Sequence, residues 1–177
     1  MFLAEGFEEI EALCPLDLLR RAGVDIKTVS VGDGDFVTGS HGISVKADMK
    51  ESDFSDEKPE MVILPGGMPG TTNLEASATV AKALEDAIGN DAYVCAICAA
   101  PSVLGKRGYL RGREAICYPG FEKHLEGATV SCKKVIRDGK IITGAGMGVA
   151  LEFGLELVSV LCGEKKALEL KKAVLAD

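Results

Sequence analysis

The chain has 177 residues, 47% of them hydrophobic and 27% charged, with a net charge of −7. This composition excludes an intrinsically disordered chain and is sufficient for a single domain over residues 1–177. The acidic balance, with basic clusters no larger than isolated pairs such as Arg20-Arg21 and Lys133-Lys134, excludes a nucleic-acid surface, and no apolar run is long enough to span a bilayer.

The predicted elements alternate. A short strand, Phe2-Leu3-Ala4, opens the chain. A central strand usually has about five or six residues, so either this one is short or residues precede Met1. A loop with Glu5 and Gly6 leads to a helix over about Glu8–Ala22, with Ile10, Leu13, Leu16, Leu18 and Leu19 expected on its buried side. Pro15 is expected to loosen or kink this helix and Gly23 to end it. A strand over Val24–Val31 follows, then an excursion or hairpin over Phe36–Val45. Met61-Val62-Ile63-Leu64 is wholly apolar, as in a parallel strand covered on both faces. Helices are predicted at about Thr72–Ala76 and Thr79–Ile88, and a short strand at Glu114–Cys117. Val135–Ile142 reads as a hairpin about Asp138-Gly139, and two helices, about Val149–Leu161 and Lys165–Val174, end the chain. The alternation implies a doubly wound α/β domain with its site at the carboxyl ends of the strands.

The chemistry concentrates in Tyr93-Val94-Cys95-Ala96-Ile97-Cys98-Ala99-Ala100-Pro101. An apolar strand ends at Cys98, and a helix-favouring segment with Pro101 in its first turn follows at once. This is the cysteine counterpart of a nucleophile elbow, and the helix end is expected to favour the thiolate. Cys95 and Cys98 form a C-x-x-C, but Cys95 falls inside the strand, so a single reactive thiol is preferred to a dithiol. The glycines of Leu64-Pro65-Gly66-Gly67 let backbone N–H groups face a cleft, where with the amide of Ala99 they would make an oxyanion site.

Among Glu5, Glu8, Glu9 and Glu11, most are expected to be a solvated helix start, with one turned inward as a carboxyl partner of the thiol. Gly144-Ala145-Gly146-Met147-Gly148 lacks the spacing of a dinucleotide fingerprint. The two histidines, His41 and His124, have no clustered partner and read as surface residues. Neither a cofactor nor a metal is expected. The six cysteines lie in or beside apolar runs and no secretory leader is read, so a reducing cytoplasm is the expected compartment.

Five blocks resemble the ThiJ/PfpI superfamily in its DJ-one branch: Glu8-Glu9-Ile10-Glu11-Ala12, Asp17 to Gly23, Leu64-Pro65-Gly66-Gly67, Ala96 to Pro101, and Ile142 through Phe153. The resemblance covers essentially the whole chain. It implies a flavodoxin-like sandwich with a mostly parallel central sheet, forming a homodimer. It assigns the nucleophile to Cys98, its carboxyl partner to Glu11, and the oxyanion amides to Gly67 and Ala99. It places Arg21 near the site and puts His41 at a basic position that crosses the dimer. Two departures stand out: Tyr118 occupies the place of the family's active-site histidine, and Gly144-Ala145-Gly146-Met147-Gly148 replaces a stretch that carries an arginine.

The function this implies is a cysteine-dependent enzyme of glyoxalase or deglycase type, acting on small reactive carbonyls in stress protection through a Cys98 hemithioacetal. The alternative is a redox sensor or protective chaperone-like protein with an oxidisable Cys98. A cysteine peptidase or amidase ranks last, because it needs a histidine beside the sulfur. No nucleic-acid or membrane partner is expected.

Overall fold

The computed structural model describes residues 1–54 and 57–176. Strand β1 (Phe2–Leu3) is followed by helix α1 (Glu9–Arg21) and then by β2 (Val29–Ser30), β3 (Phe36–Thr38), β4 (Ser44–Lys46) and β5 (Met49–Lys50). Strand β6 (Met61–Leu64) precedes helices α2 (Gly70–Ala76) and α3 (Ala78–Gly89). Strand β7 (Tyr93–Ile97) leads through a turn into the short helix α4 (Pro101–Lys106). Strands β8 (Glu114–Ala115), β9 (Thr129–Val130), β10 (Val135–Asp138) and β11 (Ile141–Gly144) come next, then α5 (Ala150–Cys162) and α6 (Glu164–Ala173).

The central layer has the order β5-β2-β1, parallel throughout, continuing through β6, which packs beside β1, to β6-β7-β11-β10. Among the described residues, β10 alone runs antiparallel in this layer. The two-residue period of the strands sorts their side chains into two cores. Phe2, Val62, Leu64, Val94, Ala96 and Ile141 pack with Leu74, Leu84 and Leu104 of α2, α3 and α4. Leu3, Ile63, Cys95, Ile97 and Ile142 pack with Leu18, Leu19, Phe153 and Leu157 of α1 and α5. This is the flavodoxin-like sandwich with helices on both faces of a mostly parallel sheet.

Local departures have physical causes. Strand β2 is confined to Val29–Ser30, because only those residues pair with both β1 and β5. Helix α1 runs on through Pro15, which is buried against Gly154 of α5. Ile10, expected on the buried side, is 51% exposed; it lies about 200° around the helix from the buried Ala12. Three of the four N-terminal glutamates, Glu8, Glu9 and Glu11, are buried rather than solvated, since each has a specific partner. No helix among the described residues is long and apolar enough to cross a membrane.

Candidate active site

The loops that follow β1, β6, β7 and β11 leave the sheet at one end and converge on Cys98. Residue 98 has φ +65, the left-handed conformation that side chains other than glycine seldom adopt. The surroundings hold it there on both sides. The Cys98 N–H donates to the Gly144 carbonyl at 2.9 Å, and the Cys98 carbonyl accepts from the Tyr118 N–H at 2.8 Å. The turn lifts the sulfur out of the sheet, leaving Cys98 partly exposed while Cys95 in the strand below is fully buried.

Glu11 faces that sulfur. Its side chain is 1% exposed, and Oε2 accepts from the Gly66 N–H at 3.0 Å. The carboxyl is within hydrogen-bonding reach of the thiol and also of the Met147 N–H. Gly66 is required by this approach: a Cβ there would lie 2.5 Å from Glu11 Oε2 and 2.7 Å from Cys98 Cβ. The N–H groups of Gly67 and Ala99 are directed at the sulfur. Gly67 has φ +90, a conformation that turns its amide inward at no steric cost to glycine. Gly66, expected among the oxyanion amides, gives its N–H to Glu11 and is therefore a support for the acid.

Burial, assisted by the charge of Glu8, pushes the Glu11 carboxyl up to about 7. Burial, with the charge of Glu11 next, pushes the Cys98 thiol up to about 12, against the pull of the Ala99 and Gly67 amides. The expected lowering of the thiol by the helix end is therefore not met. Helix α4 has only six residues, and the sulfur sits against an acid. Between those two values the pair keeps one proton, and that proton belongs to carboxyl and sulfur jointly. When Glu11 carries it, the sulfur is a thiolate facing two amides.

The remaining sequence candidates are distributed differently. Arg21 ends α1 about 15 Å along the helix axis from Glu11, and its Nε donates to Asp17 at 2.6 Å on the exposed face. Within one chain it therefore lies away from Cys98. His41, at the tip of the β3–β4 hairpin, is exposed and does not contact the sulfur; its Nδ1 lies 2.8 Å from Glu9 Oε2 and its backbone N–H donates to Glu9 Oε1 at 2.7 Å. Glu9 is buried, which raises its carboxyl, but these hydrogen bonds outweigh burial and hold it at about 2. His124 lies in a 3₁₀ turn against Phe121, with its carbonyl packed on Gly105 of α4. Tyr118 is 48% exposed, with its ring against Gly146.

Sequence reading missed three features. Glu8 caps α1 by accepting from the Glu11 N–H at 2.7 Å. Its spacing, three residues before a second glutamate at a helix start, was a legible signal. The Glu9–His41 pair joins residues 32 apart, and the Met147 amide reaches Glu11 from the far end of the chain. Nothing local signals either contact. A groove of about 1370 Å³ opens elsewhere, among Glu51, Lys82, Tyr93 and Lys140 at the other end of the strands.

A strained cysteine on a strand-to-helix turn, an acid beneath it and amides around it define the class: an α/β sandwich of the nucleophile-elbow type. Residues 1–160 match the model of the DJ-1/PfpI family. The chain belongs to that family, in its DJ-1 branch. It is 33% identical over 177 residues to Protein dj-1beta of Drosophila melanogaster, covering 99% of this chain and 95% of that one. It is 38% identical over 169 residues to Protein DJ-1 homolog B of Arabidopsis thaliana, covering 94% of this chain but 39% of that longer protein. It is 29% identical over 169 residues to the glutathione-independent glyoxalase DJR-1.2 of Caenorhabditis elegans, covering 95% of this chain and 90% of that one. Among solved structures, oxidized Toxoplasma gondii DJ-1 superposes with a TM-score of 0.95 at 35% identity, covering 98% of this chain and 95% of that one.

Proposed function

We propose that this protein is a cysteine-dependent enzyme that converts small reactive carbonyl compounds, 2-oxoaldehydes above all, into hydroxy acids. The observation that carries the reading is the pairing of Glu11 with Cys98 inside a ring of amides from Gly67 and Ala99. The name of the C. elegans relative, a glyoxalase that needs no glutathione, supports it.

The thiolate adds to the aldehyde carbon, the carbonyl π bond opens, and the oxyanion forms against the amides before taking the proton of Glu11. The product is a hemithioacetal. Glu11, now a carboxylate, removes the proton on the former aldehyde carbon and returns it to the neighbouring carbon, while the hemithioacetal hydroxyl proton passes to the former ketone oxygen. This turns the ketone into an alcohol and the hemithioacetal into a thioester, with no external oxidant. Water then cleaves the thioester, releasing the hydroxy acid and restoring the thiol. Glu11 is the one acid–base group this scheme needs, which suits a site whose Tyr118 stands in place of a histidine. The proposal includes a homodimer, since α1 and the β3–β4 hairpin leave Ile10 and Ile43 more than half exposed.

The test is methylglyoxal consumption followed by lactate release. Cys98→Ala is expected to abolish it; a variant with the wild-type rate overturns the mechanism. A second reading, a sensor whose sulfur becomes a sulfinate, is favoured by the same amides facing a partly exposed sulfur and by the oxidized Toxoplasma relative. Wild-type protein that consumes no carbonyl but gains two oxygens at Cys98 in dilute peroxide would transfer the assignment to that reading.

A further inference from the structure

We infer that the mouth over Cys98 selects uncharged apolar or aromatic carbonyl compounds and rejects those bearing a carboxylate, with Met68, Tyr118 and Met147 as the selecting side chains. The inference rests on the carbonyl chemistry proposed above for the reaction, and on independent geometry for the selection.

Three segments whose backbones border the reactive pair each leave one large apolar side chain exposed to solvent. Met68 follows Gly67, whose amide faces the sulfur, and is 53% exposed. Tyr118 donates its backbone N–H to the Cys98 carbonyl at 2.8 Å and is 48% exposed. Met147 offers its N–H to Glu11 and is 50% exposed. The Tyr118 ring is held on the Met147 loop, because a Cβ on Gly146 would meet its Cδ2 at 3.2 Å. Large apolar groups left in water on loops whose backbones border the nucleophile offer contact area to an apolar substrate and none of the hydrogen bonds that would replace the water around a carboxylate.

The charges act in the same direction. Glu8, Glu9 and Glu11 are all buried in the first turn of α1 and its cap. Among the described residues, no lysine or arginine pairs with any of them. His41 is engaged by Glu9, and Arg21 by Asp17. Lys134, whose carbonyl accepts from the Ala145 N–H, points its ammonium at Glu152. A carboxylate entering this mouth meets like charge, and His41, Arg21 and Lys134 are each already engaged by an acid.

The experiment uses two sets of probes on the full chain. Iodoacetamide and iodoacetate differ in charge and not in the bond they form. Their rates at Cys98, resolved by peptide mass and divided by their rates with free cysteine, are expected to favour iodoacetamide by about tenfold or more. Met147→Lys is expected to narrow that ratio. Phenylglyoxal, methylglyoxal and 4-carboxyphenylglyoxal form the second set, all with a ketone beside the aldehyde: kcat/KM is expected to be highest for phenylglyoxal and lowest for the carboxylate-bearing compound, and Tyr118→Ala to erase the advantage of phenylglyoxal. An iodoacetamide preference no greater than that of free cysteine overturns the inference. So does consumption of 4-carboxyphenylglyoxal as efficiently as phenylglyoxal. Selective alkylation with no carbonyl consumed upholds the selective mouth and sinks the catalytic reading instead.

Discussion

Cys98 carries a backbone conformation that costs a non-glycine residue on the order of 1–3 kcal/mol, and two backbone hydrogen bonds to Gly144 and Tyr118 retain it. That strain places the sulfur beside Glu11. The apolar strand breaking into Ala99-Ala100-Pro101 made the turn legible from sequence. Which glutamate lies under it was not legible from spacing, because Glu8, Glu9 and Glu11 all fall within one helical turn and only the loop at Gly66 chooses among them. A prediction belongs here. The wild-type rate of Cys98 alkylation by iodoacetamide is expected to rise as the pH passes about 7, where the Glu11–Cys98 pair gives up its first proton. Glu11→Gln keeps the shape and removes that titration, so the step near 7 disappears, while carbonyl turnover drops roughly 10²–10⁴-fold with the loss of the acid–base group. A variant that retains the step would show that another group titrates there.

Helix α1 is the element that links packing to chemistry. It holds Glu11 at its start, and its middle lies on α5 where Gly154 has no side chain. A Cβ at Gly154 would come within 2.7 Å of Leu18 Cδ1 and 3.0 Å of the Pro15 backbone. Gly154→Val is therefore expected to push α1 outward, costing about 1–3 kcal/mol in denaturant unfolding and lowering carbonyl turnover although residue 154 is remote from the sulfur. Lost stability with unchanged turnover would mean that the position of Glu11 does not depend on this contact. The helices α1, α3, α5 and α6 were legible within a residue or two, because their apolar periodicity extends over several turns. The strand predicted over Val24–Val31 shrank to Val29–Ser30, and the side of α1 on which Ile10 lies was misread. Pairing partners and neighbouring helices decide both, and neither is encoded locally.

At the scale of the whole molecule, two buried carboxyls pull stability in opposite directions with pH. Glu11 titrates at about 7 in the fold against 4.5 in the unfolded chain. Between those values the folded state holds a proton the unfolded state has released, so stability falls as the pH rises from 4.5 through about 7. Glu9, held at about 2 by His41, does the reverse: its contribution is present above 4.5 and is lost as the pH falls toward 2. Denaturant unfolding across this range is expected to show the decline above pH 4.5 in wild type and a flatter profile in Glu11→Gln; an unchanged slope in that variant would remove Glu11 as its cause.

The amino-acid sequence by itself determined the class of fold, the cysteine at the strand-to-helix turn and the set of acids and glycines around it. Strand and helix periodicity, turn glycines and the chemistry of side-chain types are properties of neighbouring residues. Only the tertiary structure placed Glu11, the partner the family resemblance implied, beneath the sulfur, gave the Gly66 N–H to that carboxyl, set Arg21 far along α1 from it in the same chain, paired His41 with Glu9, and pushed the thiol up rather than down. Each of those outcomes depends on groups brought together from distant parts of the chain, and on the burial that follows from their meeting.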